Sequence, residues 1–447
     1  MDKQKNILFI MADELRADVT GFGGNCIIRT PNLDRLAAKA TVFDNAYTPS
    51  PICIPARQCL TAGQFPTTCK CMCYGEDLPA DYSTFPKLLA AYGYETVACG
   101  KLHHMGKDQM QGYTRRIGGE CRVEPKYLDN VVVPRTMQRK GFKWSQQEEV
   151  MRATTTAEAR TPHLAEDELA INGAEMLIYN HFVNAFYKRA TPEVPLLLMV
   201  SFNQPHYPYV AEPELLDYYM ERVELFTDQQ LFPHEFMRRH AVDVPEENLR
   251  KATAAYYAMV EKVDSYVGRL LQALEEAGQN LDDWMVIFTS DHGEMLGEHG
   301  VWEKQKFFEG SVRVPLFISL PGQEKYGRVA ENVNLCDIFA TICSTMEIPI
   351  PEGLDSRDMV GLILGTEKEW DNETVSMFDR TNIMIKREQL KYQYYAVDCS
   401  EILFDLEYEP EECTNLIGEV RYQEKVARFR ERIRDFGFEP KLVAEAR

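Results

Sequence analysis

An α/β fold built on a large, mainly parallel central sheet flanked by helices is predicted by three features of the chain. Apolar runs that read as buried strands, at 7–11, 96–99, 196–202, 285–289 and 315–319, alternate with helical segments. The 447 residues, 45% hydrophobic and 26% charged, suffice for one large core and a second layer or subdomain. After about Thr366 the pattern changes to short alternating strands.

Taken in order, the first strand runs straight into Ala12-Asp13-Glu14. Thr30 is a helix N-cap residue followed by Pro31 at the first helical position. Further helices are predicted at 85–91 closed by Gly93, at 165–187, at 245–277 closed by Gly278, and at 335–346. The tail carries strands at 383–387, 390–396 and 401–406 and a charged helix at 422–434. The expected division is a catalytic domain at 1–366 and a smaller antiparallel α+β subdomain at 367–447.

Composition narrows the partners. A formal charge of −20 argues against wholesale attraction to nucleic acid or an anionic membrane, so an anionic substrate must be met locally by a few basic groups and a metal. The longest apolar runs fall far short of the ~20 residues that cross a bilayer. The start, M-D-K-Q-K-N before the first strand, lacks a secretory pattern, and a cytoplasmic location is expected. Twelve unevenly spaced cysteines, several in apolar segments, read as reduced core residues. In C-K-C-M-C, at 69–73, alternate spacing predicts three thiols on one face of an extended segment, with partly buried thiols favoured over a metal site.

In open α/β sheets ligands bind beyond the carboxyl ends of the strands, so polar residues directly after a buried strand are the first candidates. Asp13-Glu14 follows one such strand and Asp291-His292 another. Singly, an Asp after a strand more often caps a helix; together, the carboxylates and imidazole suit a divalent cation. His206 follows a third strand between Pro205 and Pro208, where it serves either structure or catalysis. In P-I-C-I-P-A-R-Q-C-L-T-A-G, at 51–63, Pro55 suits a first helical turn and Gly63 a C-cap. Cys53 is thereby placed at a helix N-terminus with Arg57 one turn on, an arrangement that favours an anion.

These residues resemble the type I sulfatases, of the alkaline-phosphatase-like superfamily. Cys53-Ile54-Pro55-Ala56-Arg57 with Leu60-Thr61-Ala62-Gly63 is similar to the family's C-x-P-x-R followed by L-x-T-G, with Ala62 where Thr is usual. Gly100-Lys101-Leu102-His103 matches its G-K-x-H. Further matches are A-D-E-L-R-A-D at 12–18, T-P-N-L-D-R-L-A at 30–37, S-D-H-G-E at 290–294, L-G-E-H-G-V-W-E-K at 296–304, R-V-P-L-F-I at 313–318 and the segment 403–416, nearly the whole chain. The segment 100–113 and S-F-N-Q-P-H-Y-P-Y at 201–209 resemble the bacterial choline-sulfatase branch, as does His292 where other members have Asn.

The resemblance implies oxidation of Cys53 to formylglycine by a maturation enzyme. It also implies a divalent metal, usually Ca²⁺ and sometimes Mg²⁺ or Mn²⁺, held by Asp13, residue 53, Asp291 and His292, with Glu14 where a second Asp is common. Arg57 would activate the nucleophile, and Lys101 and Lys304 would bind sulfate oxygens. His206 with Lys304 would protonate the leaving alcohol, and His103 would take a proton during sulfate release. The implied substrate is a small-molecule or carbohydrate sulfate ester. Alternatives are a phosphonate monoester or phosphodiester hydrolase of the same superfamily, and a degenerate binding protein. His104 and His299 have no matched role and are read as structural or substrate-contacting; Lys306 lies near enough to Lys304 to be taken for it, though W-E-K fits the family's register better.

Overall fold

The computed structural model describes residues 5–121, 123–128, 146–183, 194–226, 231–232 and 235–440. The strands are β1 (Ile7–Asp13), β2 (Thr41–Tyr47), β3 (Glu95–Gly100), β4 (Arg115–Ile117), β5 (Thr154–Thr155), β6 (Leu196–Pro205), β7 (Val210–Ala211), β8 (Met285–Ser290), β9 (Leu316–Ser319) and β10 (Gly327–Asn334). A second group comprises β11 (Glu373–Phe378), β12 (Asn382–Arg387), β13 (Leu390–Tyr395) and β14 (Ser400–Asp405).

Eight strands form the central sheet in the order β10-β2-β9-β8-β1-β6-β3-β4. Every pairing is parallel except those of β9, which runs antiparallel to both β2 and β8. The predicted mainly parallel sheet is therefore present. Strand β1 is buried at every position, as a central parallel strand covered on both faces must be.

Alternate residues of β1 feed two cores. Leu8 and Ile10 join the cluster beneath the long helix Glu246–Glu276, while Ile7, Phe9 and Met11 join the opposite cluster with Phe85, Leu89 and Ile338. This alternation fixes the register, because a slip of one residue would exchange the two faces. Since β8, β1, β6 and β3 are mutually parallel neighbours, their carboxyl ends open on one edge. Asp13, Lys101, His206 and Asp291 all arrive there.

The second sheet is antiparallel, in the order β11-β12-β13-β14, and packs its apolar residues on the helix Gln423–Asp435. It is tied to the first layer by buried charge: Lys391 on β13, already paired with Glu412 beyond β14, reaches Glu309 at 2.8 Å.

Some sequence expectations need correction. The helix expected at 165–187 spans Pro162–Ile178 and loosens into a wide π turn at Tyr179–Val183, while 184–187 lie outside the described residues. Strands β2 and β10 were not anticipated because polar residues interrupt them: Asp44 and Asn45 in one, and Glu331 and Asn332 in the other, which lies on the sheet edge. Nor do the thiols of 69–73 share one face of an extended segment. Cys69 ends the short helix Pro66–Cys69, Lys70 takes a left-handed φ of 66°, and the turn buries Cys69 and Cys71 beside Cys59 and Cys336 while Cys73 stays partly exposed. All twelve cysteines are free thiols. No helix among the described residues is long and apolar enough to cross a membrane.

Candidate active site

The helix Cys53–Ala62 is buried along its whole length and ends on Gly63, whose φ of 64° supplies the left-handed C-cap the sequence predicted. Cys53 opens the helix at 3% exposure. Burial, then the neighbouring Asp13 carboxylate, push its thiol up to about 11. An unmodified Cys53 is therefore protonated near neutrality and a poor nucleophile.

Arg57, one turn on, spends its guanidinium on fixing the floor. Nε donates to Asp291 Oδ2 at 2.7 Å, and one terminal nitrogen lies 3.3 Å from Asp13 Oδ2. The other donates to the Lys101 carbonyl at 3.0 Å and to Ser201 Oγ at 2.8 Å. The ends of β1, β3 and β8 and the middle of β6 are thereby held to one helix. Lys101 Nζ meets Asp13 Oδ2 at 2.7 Å. Burial raises the Asp13 carboxyl, but Lys101, His206, Arg57 and His292 outweigh it and hold the group well below the ordinary carboxylate range.

The fit to a cation can be judged from atoms that lack partners. Asp13 Oδ1, Glu14 Oε1 and His292 Nε2 are all buried with no hydrogen-bond partner. His292 Nδ1 lies 3.0 Å from the Gly293 carbonyl and so carries the ring proton, which leaves Nε2 with a lone pair. That nitrogen is 3.8 Å from Asp13 Oδ1 and 3.7 Å from Asp291 Oδ1. Asp13, Asp291 and His292 together form a group able to hold a metal, as do Asp13, Cys53 and His103, and Asp13, Glu14 and His206. Asp13 belongs to all three. The donors fit a divalent cation: buried carboxylate oxygens and one deprotonated imidazole nitrogen, all aimed inward. Glu14 groups with His206 rather than with Asp291 and His292, and its Oε2 is taken by Lys304 at 2.7 Å.

Lys304 and His206 form the other half of the floor. His206 Nδ1 is 2.6 Å from the Tyr207 carbonyl, so its proton sits there and Nε2 accepts from Lys304 Nζ at 2.7 Å. Burial, then Lys304, hold the imidazole well below its ordinary pKa. For Lys304, burial acts downward but Glu14 leads the groups that raise it well above the usual value. The transferable proton of this pair therefore sits on Lys304. The loop that presents Lys304 is clasped to the segment before Cys53, with Gln305 N donating to the Pro51 carbonyl at 2.9 Å. His103 is neutral as well, lowered by burial and then by Lys101. Its backbone N–H donates to Glu120 at 2.6 Å, and its Nδ1 is buried without a partner.

Cys53, Lys101, His103, His206 and Lys304 line a cavity of about 1450 Å³; Asp13, Glu14, Arg57, Asp291 and His292 lie beneath its floor. All ten sequence-predicted site residues thus converge on one place. The three unmatched groups do not line the cavity: His104 bonds to the Gln109 carbonyl, His299 packs on Phe308 and Phe232, and Lys306 donates to the Trp302 carbonyl. Sequence reasoning missed Ser201, Glu120 and the cavity-wall residues His163, Tyr207, Glu149 and Glu303. Ser201, Tyr207 and Glu303 fall within the matched segments 201–209 and 296–304 but had no role attached to them, and Glu120, in a loop, carried no signal.

The close approach of β3 to β6 makes one residue critical. Gly100 has φ 92°, and a Cβ there would fall 2.0 Å from the Ser201 carbonyl oxygen. Gly100→Ala is expected to add about 1–3 kcal/mol of backbone strain and to push Lys101 off Asp13. A lower urea midpoint together with a fall in kcat is the expected result; wild-type values of both would show that the glycine is dispensable.

Comparison with known proteins agrees with this geometry. The family model described as Sulfatase matches residues 5–348, and one described as N-sulphoglucosamine sulphohydrolase, C-terminal, matches residues 297–438. The chain is 32% identical over 431 residues to a choline-sulfatase of Rhizobium meliloti (strain 1021), covering 92% of this chain and 82% of the relative. It is 30% identical over 469 residues to an arylsulfatase of Clostridium perfringens (strain 13 / Type A), covering 94% and 92% respectively. Among solved structures, a phosphonate monoester hydrolase of Agrobacterium radiobacter superposes with TM-score 0.76 at 22% identity over 97% of this chain and 95% of that one, which shows a shared fold. The matching family model spans most of the chain, the two relatives cover nearly all of it, and the chain belongs to the sulfatase family of sulfuric ester hydrolases.

Proposed function

We propose that this sulfatase hydrolyses sulfate esters of alcohols or sugars, using formylglycine made from Cys53 and a divalent cation, Ca²⁺ before Mg²⁺ or Mn²⁺. One observation carries the reading. Cys53 lines the same cavity as Lys101 and Lys304 and groups with Asp13, whose Oδ1, like His292 Nε2, is buried with no partner. Asp13, Glu14, residue 53, Asp291 and His292 would hold the cation, which supplies Lewis-acidic charge beside residue 53. The oxidised residue supplies a hydrated aldehyde, one hydroxyl for attack on sulfur and one for expelling sulfate.

The chain's own groups do the rest. Lys101 and Lys304 place fixed positive charge where the sulfate oxygens carry negative charge in the transition state. Arg57 keeps Asp13 and Asp291 aligned beneath them. Lys304 passes its proton to the leaving alcohol, and His206, its acceptor at Nε2, relays or replaces it. His103, neutral and with Nδ1 unpartnered, is the base for the second hydroxyl. Since Cys53 is 3% exposed, a formylglycine-generating maturation enzyme must reach C-I-P-A-R before the helix Cys53–Ala62 is packed.

The reading is tested with a leaving-group series. His206→Ala is expected to lower kcat/KM on alkyl or sugar sulfates by about 10²–10⁴-fold and to affect activated aryl sulfates far less, because a good leaving group needs little protonation. Equal losses across the series would move His206 from proton transfer to sulfate binding. An aryl phosphodiester belongs in the same assay: faster turnover of that ester than of any sulfate would favour the phosphonate and phosphodiester hydrolase alternative.

A further inference from the structure

The C-K-C-M-C segment takes no part in the chemistry of the cavity, which none of its thiols lines. Folding instead gathers Cys69 and Cys71 with Cys59 and Cys336 into one buried cluster, in which no thiol is more than 3% exposed. Buried thiols in apolar surroundings are ordinarily inert packing. One pair is placed for more than that: Cys59 Sγ lies 3.5 Å from Cys69 Sγ.

Local structure sets the contact. Cys59 is buried on the helix Cys53–Ala62, Gly63 ends that helix in the left-handed region, and the short helix Pro66–Cys69 brings Cys69 back beside it. Cys336 is engaged elsewhere, its thiol directed at the carbonyl oxygens of Gln64 at 3.3 Å and Cys59 at 3.7 Å. Hydrogen bonds from Cys59 and then Cys71 pull the Cys69 thiol below its ordinary range, while burial pushes Cys59 above it. Within the pair Cys69 is therefore the nucleophile and Cys59 the proton source. Among the described residues, the groups able to hold a metal include none of these four cysteines.

We propose that Cys59 and Cys69 form a redox-active dithiol that hydrogen peroxide closes into a disulfide, locking in place the helix that opens on Cys53. The Cys69 thiolate attacks one peroxide oxygen. The O–O bond breaks, hydroxide leaves and takes up the proton Cys69 had released, and Cys69 becomes a sulfenic acid. The Cys59 sulfur then attacks that sulfur, its proton passes to the departing hydroxyl, and water leaves as the S–S bond forms. Two thiols and one peroxide thus give one disulfide and two waters. To reach disulfide length the sulfurs close by roughly 1.5 Å, a movement of two side chains across a turn. Cys73, on the same segment, is partly exposed, so solvent already reaches this part of the chain. The bond ties the helix bearing residue 53 and Arg57 to the segment behind it. Such a cross-link stabilises mainly by restricting the unfolded chain, so it protects the site and leaves its chemistry unchanged.

The test treats folded enzyme with hydrogen peroxide, blocks the remaining thiols and maps cross-links by peptide mass spectrometry, on the wild type and on Cys59→Ala and Cys69→Ala variants. The wild type is expected to form a 59–69 link, to unfold about 3–5 °C higher when oxidised, and to return to its starting midpoint with dithiothreitol. Neither variant should form the link or gain in midpoint. Absence of the link in wild-type protein whose exposed Cys26, Cys121 and Cys413 have been oxidised overturns the proposal. So does a link from Cys69 to Cys71 or Cys336 in place of Cys59, a 59–69 link that forms only in urea, or a link with no rise in midpoint. Zinc or copper found in the purified protein and released by peroxide would make the cluster a metal site and overturn it too. If both variants fail to fold, the wild type decides alone, by the mapped link and a midpoint rise that dithiothreitol reverses.

Discussion

Cys53→Ala is expected to abolish sulfate-ester hydrolysis, with kcat/KM falling by about 10⁴-fold or more, as when an enzyme loses its nucleophile. The size follows from the way the site is built. Lys101, Lys304 and the Asp13 cluster are arranged around the position of residue 53, so without it the remaining charges can bind sulfate but offer nothing to attack sulfur. The thiol itself is a poor substitute, pushed up to about 11 by burial and Asp13. Active wild-type protein should accordingly show, by intact mass, loss of H₂S and gain of O relative to the encoded chain. A fully active preparation that retained the thiol would refute the formylglycine mechanism, whatever the alanine variant did. Alanine removes little volume at a site that is already buried, so the variant should keep the wild-type unfolding midpoint, and the loss can be assigned to chemistry.

The sequence made this floor legible because its parts sit where the strand rule puts them. Asp13, Asp291 and His206 each follow a continuous apolar run, and such runs mark buried parallel strands whose ends must meet once the sheet forms. Pro55 and Gly63 bracketed the helix that opens on Cys53 by backbone preference alone. What stayed hidden depends on tertiary contact between residues without local pattern. Glu149 and Glu303 lie on a short helix and a loop far apart in the chain, and only folding brings both to the wall of one cavity. The proton between Lys304 and His206 is another such case: either residue could hold it on sequence grounds. The Tyr207 carbonyl, by fixing the His206 tautomer, and Glu14, by holding the ammonium, decide the matter. Strand β10 was hidden for a different reason. It is an edge strand in which exposed Arg328 and half-buried Glu331 share the run with buried Asn332 and Asn334, so its hydrophobic pattern is weak even though its pairing with β2 is regular at both ends.

Asp13→Asn should be nearly as damaging as loss of the nucleophile, with kcat/KM reduced by at least about 10³-fold, the upper range for removing one preorganised charge from a transition-state site. Asp13 is common to all three groups able to hold a cation, so its amide replacement weakens every one of them at once. It is also the partner of Lys101 at 2.7 Å and of Arg57 at 3.3 Å, and taking its charge away leaves two buried cations under-compensated. Breaking a buried pair in this way costs roughly 3–5 kcal/mol of stability, so activity must be measured at a temperature where circular dichroism shows the variant still folded. The deciding readout is metal content per chain after equilibration with Ca²⁺ and gel filtration, expected to be stoichiometric in the wild type and close to zero in Asp13→Asn. Glu14→Gln supplies the contrast. One of its oxygens is committed to Lys304, leaving only Oε1 for the cation, so this variant should retain metal at saturating Ca²⁺ and lose it at lower concentration. Stoichiometric, tightly held metal in folded Asp13→Asn would show that the cation site does not depend on the carboxylate where β1 ends.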